Sequence, residues 1–229
     1  MNDALSFARA RSPTQKRARE TEVLDAAARL LATQPFASIS LSDLAAEVSF
    51  SRANLYKYFG SREEVYLALM ARSVERFGLH LSASLAEDRT SQRAVSGTRE
   101  AAESFAEFWI DAIRGQRELL SLLSMAGTVL ETGCGDGALL DAKRRMAAAL
   151  SRHLVPTVTH FFPALGEEGS VALVRFLMVT ANGLFPMCGL DGRQQELLRA
   201  HGLSVLVLEF EPVYGRIVRE HLASLDLGE

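Results

Sequence analysis

The sequence predicts an all-helical protein in two parts, and three observations predict it. Apolar residues recur at helical spacing along nearly the whole chain, while the strict alternation of a strand is almost absent. Breaks at Gln34-Pro35, Gly60, Gly115, Gly133-Cys134-Gly135-Asp136-Gly137, Pro163 to Gly166 and Gly189 to Gly192 cut the pattern into helix-sized pieces. Finally, Leu41–Phe59 (LSDLAAEVSFSRANLYKYF) reads as two short helices joined by a tight turn, unlike the longer helices that follow.

Composition sets the class. The chain has 229 residues, 48% hydrophobic and 23% charged, enough for a small domain plus a medium one with a real core. No apolar run reaches the roughly 20 residues that span a bilayer, and the first twelve residues lack the apolar region of a signal peptide. No membrane partner is expected. Cys134 and Cys188 are far apart, which argues against a disulfide framework and fits a reducing cytoplasm. No metal is expected, because the five histidines do not fall at ligand spacing with the cysteines, and His153 and His160 share a helix face without a third ligand. Charge is uneven. Residues 1–62 hold nine Lys/Arg against six Asp/Glu, and residues 63–229 hold sixteen against twenty-two. A basic end on an acidic body suits a polyanion at one end only.

The elements follow in order. Residues 1–13, with Arg9 and Arg11, read as a flexible basic arm. Pro13-Thr14 opens a helix with Val23, Leu24, Ala27, Leu30 and Leu31 on one face, ending near Thr33. In the next helix Leu41, Leu44, Ala45 and Val48 fall at i, i+3, i+4 and i+7, with Ser42 as its cap. Ser51 caps the helix after it, and Leu55, Tyr58 and Phe59 point inward. Gly60 stops that helix in the left-handed conformation. Ser61 with Glu64 makes a capping box for a long helix that runs to about Leu85 and links a small head to a larger body. Residues 86–97 read as a mobile loop. Helical segments are predicted over 98–114, 116–131, 136–162, 167–187 and 195–224; Ser204–Phe210 has strand propensity but sits inside the last of these.

The amphipathic first helix ending in Leu-Leu-Ala, the entry Phe36…Ile39-Ser40-Leu41-Ser42-Asp43-Leu44-Ala45, the block Leu55-Tyr56-Lys57-Tyr58-Phe59 and the linker Ser61-Arg62-Glu63-Glu64 together resemble the DNA-binding domain of TetR/AcrR-type transcriptional regulators. The resemblance is strong from about Arg17 to Met70. It implies a three-helix helix-turn-helix domain over 14–60 and a helical ligand-binding and dimerisation domain over 61–229. It departs from the family in the turn, where Val48-Ser49-Phe50-Ser51 stands for the usual Ala-Gly-Val-Ser. If Ser49 has positive φ, it carries a strain of about 1 kcal/mol, and Phe50 has more area to bury. The stretch Val129–Thr132, Lys143-Arg144 and Leu184–Met187 also look like one subgroup of the family's C-terminal domains.

Site residues follow from this geometry. Arg52, Ala53 and Asn54 lie at the exposed start of the recognition helix, where Arg suits guanine and Asn suits adenine. Tyr56 and Lys57 reach the groove wall. Ser40, Ser42 and Ser51 hold the backbone at helix N-termini, and Lys16 and Arg17 add contacts from the first helix; Arg62 matches the family's linker Lys/Arg, and the resemblance implies that it pins a phosphate. A dimer is expected, because one such motif reads few base pairs; its interface is placed on Val171, Val174, Arg175, Met178, Leu203, Leu206, Phe210, Val213 and Tyr214, an apolar excess over one buried face. Phe105, Trp109, Met125, Val129, Met178, Asn182 and Phe185 are the expected ligand wall, suited to an apolar or aromatic molecule. The glycine-rich loop at 133–137 lacks the Gly-Lys-Ser/Thr of a nucleotide loop and reads as a helix connector. Cys134 is a redox sensor only if exposed and of lowered pKa. The expected partners are a double-stranded DNA operator, a second copy of the chain and a small-molecule effector, with no cofactor. The alternative is an enzyme or small-molecule-binding protein with an incidental helical hairpin; no nucleophile–base set supports it.

Overall fold

A computed structural model describes residues 13–90 and 98–225. The expected basic arm, apart from Pro13, and residues 91–97 lie outside them. The described residues form helices α1 (Pro13–Thr33), α2 (Leu41–Glu47), α3 (Arg52–Leu55), α4 (Arg62–Thr90), α5 (Thr98–Ile113), α6 (Arg117–Met125), α7 (Asp136–Ala149), α8 (Val155–Phe161), α9 (Gly166–Leu184), α10 (Gly192–Ala200) and α11 (Phe210–Ser224), and contain no strand. Helix α4 passes the predicted end at Leu85, so residues 86–90 of the expected loop are helical.

Helix α4 is the spine because its two halves bury into two cores. Val65, Tyr66, Leu69 and Met70 pack with Val23, Leu24 and Ala27 of α1, Leu41, Leu44 and Ala45 of α2, and Leu55 and Phe59 around α3. These α4 residues lie past the boundary drawn at residue 60. The same core takes in Leu122, Leu130 and Ala142 from the body, so head and body share one apolar interior. Further along α4, Val74, Phe77 and Leu81 join a second core built from α5, α6, α8, α9 and α11. Polar ties run beside both: Arg72 pairs with Asp25 of α1 at 2.7 Å, and Ser73 and Arg76 both donate to Glu118 of α6.

Several local expectations change. The cap of α2 is Ser40, not Ser42: Ser40 Oγ accepts from the Asp43 amide at 3.2 Å, and Asp43 Oδ2 accepts from the Ser40 amide at 2.7 Å. Those bonds hold the Asp43 carboxyl below its ordinary range. Gly60 does not take positive φ. Its amide donates instead to Glu64 Oε2 at 2.6 Å. The 136–162 segment is α7 and α8 joined by a π-helical turn over Leu150–Leu154. Pro156 lies at the start of α8 and has no N–H to donate, which favours an opened turn just before it. That turn presses on Gly78 of α4, where a Cβ would approach His153 Cβ to 2.8 Å.

The largest change is in 195–224, which is not one helix. Gly202 turns left-handed at φ 73°, a 3₁₀ turn covers Ser204–Leu206, and α11 starts only at Phe210. Ser204–Phe210 is therefore neither a strand nor the middle of a helix. The stretch Pro163–Cys188 reaches a mean hydropathy of 1.6 over an 18-residue window and is long and apolar enough to cross a membrane by length and composition, contrary to expectation; only 28% of that window is buried.

Candidate nucleic-acid interface

The head presents α3 through a tight turn. Ser49 holds φ at 54°, the one positive φ among the described non-glycine residues, and its amide donates to Ala46 O at 3.0 Å. The Phe50 amide donates to Ala45 O at 2.8 Å, closing the end of α2. The large Phe50 ring finds its place between helices: it packs on Tyr58 with centroids 6.1 Å apart, and the Arg19 guanidinium of α1 lies 5.5 Å above it. Ser51 then caps α3, accepting from the Asn54 amide at 3.1 Å, as predicted. Helix α3 is one turn long, and bonds from Lys57 and Tyr58 to Asn54 and Leu55 carry the coil on to Phe59. Leu55 and Phe59 are buried.

The outward face of this unit is the expected one. Arg52, Ala53 and Lys57 are exposed, Tyr56 is half exposed and Asn54 is partly covered. Among the described residues neither Arg52 nor Lys57 has a carboxylate partner, so both cations are available to a polyanion. On α1, Arg17 is exposed and likewise without a carboxylate partner, whereas Lys16 pairs with Glu20 at 3.7 Å. Ser42 is exposed on α2. Ser40 spends its hydroxyl on Asp43, accepting from its amide and donating to Oδ2 at 2.7 Å, so it serves the capping box of α2.

Arg62 corrects the phosphate assignment. Its Nη1 donates to Ile39 O at 2.7 Å and Phe36 O at 3.3 Å, its Nε and Nη2 donate to Glu63 Oε1, and its guanidinium lies 4.2 Å over the Phe36 ring. The side chain is turned under the α1–α2 connection and fastens it to α4.

The residues behind Arg62 form a joint that the sequence signalled only as a cap and a connector. Glu64 accepts from the Gly60 amide at 2.6 Å and, through its other oxygen, from Gly135 at 3.2 Å. Ser61 Oγ accepts from the Glu64 amide at 3.1 Å and donates to Gly133 O at 2.9 Å. A Cβ on Gly133 would collide with Glu63. The 133–137 loop thus grips the start of α4. The Cys134 thiol in that loop is pushed up by burial and then by nearby Glu64 and Glu131, the opposite of a reactive sensor thiol.

The expected ligand wall divides between the two cores. Phe105 and Trp109 are fully buried, with Trp109 edge-on to Phe77 at 5.5 Å and its Nε1 donating to Tyr214 OH at 2.9 Å. Tyr214 OH donates in turn to Leu177 O at 3.0 Å. These groups lock α5, α11 and α9 together inside the body core. Tyr214 and Val174, placed at a dimer interface from sequence, are instead buried in the core of a single chain. Met125 and Val129 pack against the head core, away from Met178 and Phe185. Asn182 is partly exposed near the end of α9. Phe185 does line a cavity of about 650 Å³, with Ile113, Leu120, Cys188 and Phe210 and with the Arg114–Glu211 pair at its rim. Of the remaining interface set, Val171, Met178, Phe210 and Val213 are partly covered, while Arg175, Leu203 and Leu206 are exposed.

Comparison with known proteins adds to this geometry. Residues 23–69 match the family described as bacterial regulatory proteins, tetR family, and residues 73–225 match the tetracyclin repressor-like C-terminal domain. An uncharacterized HTH-type transcriptional regulator of Mycobacterium tuberculosis (strain CDC 1551 / Oshkosh) is 39% identical over 75 residues, 31% of this chain and 37% of that protein. The HTH-type transcriptional regulator EthR of Mycolicibacterium smegmatis is 45% identical over 58 residues, 25% of this chain and 27% of that protein. The chain thus matches only about a third of the length of these relatives. The crystal structure of a TetR transcriptional regulator from Rhodococcus sp. RHA1 shares the fold, with a TM-score of 0.55 at 17% identity over 94% of this chain and 98% of that one.

Proposed function

We propose that this chain, which belongs to the TetR family and is a helix-turn-helix transcriptional regulator, acts as a homodimeric repressor that a small apolar or aromatic molecule releases from a near-palindromic DNA operator. It would act in the cytoplasm, where the chromosome is. Arg52 and Asn54 read base edges from the start of α3, while Lys57, Tyr56, Arg17 and Ser42 meet phosphates. The effector occupies the cavity beside Phe185 and Phe210, whose volume of about 650 Å³ lies within the usual range for small-molecule sites.

The observation that carries this reading is the shared core. Leu122, Leu130 and Ala142 of the body are buried with the residues that seat α2 and α3, and Glu64 bridges the end of the recognition unit to the 133–137 loop. A body state that moves α6 or α7 therefore moves the recognition helix. The effector acts by binding that state more tightly than the DNA-bound one.

The test is fluorescence anisotropy of the purified protein on DNA from upstream of its own gene at physiological salt. A site bound at least about a thousandfold more tightly than random DNA is expected, with release on adding an effector found by screening aromatic compounds. A folded protein with no sequence preference on that DNA would sink the proposal.

A further inference from the structure

After Cys188 the chain leaves the body. It runs through Gly189–Asp191, forms α10, turns at Gly202, makes the Ser204–Leu206 turn and rejoins the core at Leu208. No residue from 189 to 207 belongs to either core, α10 buries nothing, and α10 packs chiefly on the turn that follows it. The arm is well formed. Asp191 and Gln194 make a full capping box at 2.8 and 3.0 Å, and Gln195 Nε2 donates to Leu190 O at 3.0 Å.

The arm is also apolar where a free arm should be polar. Of the nine large apolar side chains exposed among the described residues, six lie between 179 and 206: Val179, Met187, Leu197, Leu203, Val205 and Leu206, with Val205 81% exposed. Exposed apolar side chains so concentrated in one stretch of the chain mark a contact surface. Helix α9, at whose end the arm is rooted, repeats the imbalance. Its outer stripe of Ala172, Arg175, Val179 and Gly183 is exposed at helical spacing, and Met187 follows it.

Charge selects the occupant. Glu167 and Glu168 at the start of α9 are exposed with no cationic partner among the described residues, and Arg193 on α10 has no carboxylate partner. A two-fold axis across the α9 stripe pairs the helix with its own copy, antiparallel. The arm at the C-terminal end of one α9 then falls beside Glu167 and Glu168 of the other, about 28 Å along the helix. A membrane or an acidic partner leaves those carboxylates unanswered.

We propose that Gly189–Val207 is a clasp that closes over a second copy of this chain, its apolar side chains covering that copy's α9 and Arg193 meeting its Glu167 and Glu168. The clasp rests on the homodimer reading above and adds to it an exchanged element.

The test compares the full-length protein with Val205→Glu/Leu206→Glu by analytical ultracentrifugation, with amide exchange over 192–200. These side chains are exposed in the single chain, so the far-UV spectrum should not change. Support is a wild-type dimer, a dissociation constant at least tenfold higher in the variant, and α10 amides protected only at concentrations where dimer forms. A wild-type dimer that the double variant forms equally well overturns the clasp and leaves the dimer standing. Protection of α10 that appears with phosphatidylglycerol vesicles and not with protein concentration also overturns it. A wild-type chain that is monomeric throughout removes the dimer reading, and the clasp with it.

Discussion

At the scale of single residues, the turn between α2 and α3 separates what was readable from what was not. That Ser49 stands where the resemblance puts glycine was visible in the sequence, and so was its consequence once φ proved positive. Left-handed backbone costs a non-glycine residue about 1–2 kcal/mol, while glycine brings back about 0.5–1 kcal/mol of unfolded-state entropy. Ser49→Gly should therefore stabilise the protein by about 0.5–1 kcal/mol, seen as a small rise in the thermal midpoint; a lower midpoint would mean that the Ser49 side chain has a role its strain conceals. Arg62 was misread because a match to the family's linker Lys/Arg says which position a residue occupies but not whether its long side chain reaches outward or back. The carbonyls of Phe36 and Ile39 and the Phe36 ring settle it. Arg62→Ala should cost about 1.5–3 kcal/mol of stability, since it removes charged hydrogen bonds from a part-buried site, and leave the salt dependence of DNA binding unchanged. Lys57→Ala should do the reverse, keeping stability and lowering the slope of log affinity against log salt by about one. Equal slopes for Lys57→Ala and wild type would remove Lys57 from the DNA contact.

At the scale of elements, the sequence placed the starts of the first six helices closely, because each opens an apolar stripe just after a cap or a break. It failed where one signal served two purposes. Leu198, Leu203, Val205 and Leu206 continue a helical apolar pattern, and that pattern masked Gly202, which turns left-handed, and Pro212, which sits in the first turn of α11. Likewise Trp109 and Tyr214 fit a ligand wall, an interface or a core equally well by spacing; only their mutual hydrogen bond and full burial decide for the core. The 133–137 loop was legible as a connector and not as a joint, because nothing local to it names Glu63 and Glu64, some seventy residues earlier, as its partners. Its glycines are what allow the approach. Gly133→Ala drives a methyl into Glu63, which Arg62 holds in place, and this is overpacking at a rigid site. A loss of about 1–3 kcal/mol is expected, together with a changed operator affinity, while Gly137→Ala, with open space around its Cβ position, should change neither. If the two variants behave alike in calorimetry and in DNA binding, the loop is only a connector.

At the scale of the whole molecule, α9 explains why a soluble-looking composition contains a stretch apolar enough for a bilayer. One face of α9 supplies Leu173, Val174, Leu177, Ala181 and Leu184 to the core, and the other carries Val179 and small residues outward, so hydropathy averaged around the helix counts both. A helix with two apolar faces, only one of which reaches a core, calls for a second surface to cover the other. If that surface is the same helix of a second copy, Val179→Glu sets two carboxylates close to the two-fold axis, next to small residues that bring the backbones near. The single chain should fold as before, since Val179 is 62% exposed. Dimer should be lost at micromolar concentration. Because each recognition unit then binds alone, operator affinity should fall by at least about a hundredfold, the loss expected when a linked second site no longer counts, while weak binding to random DNA through Arg17 and Lys57 persists. Two half-sites centred about 34–36 Å apart should be required by the wild type and not by the variant. A Val179→Glu protein that stays dimeric and binds the operator as tightly as before would place the two-fold contact elsewhere and leave the outer face of α9 without a partner.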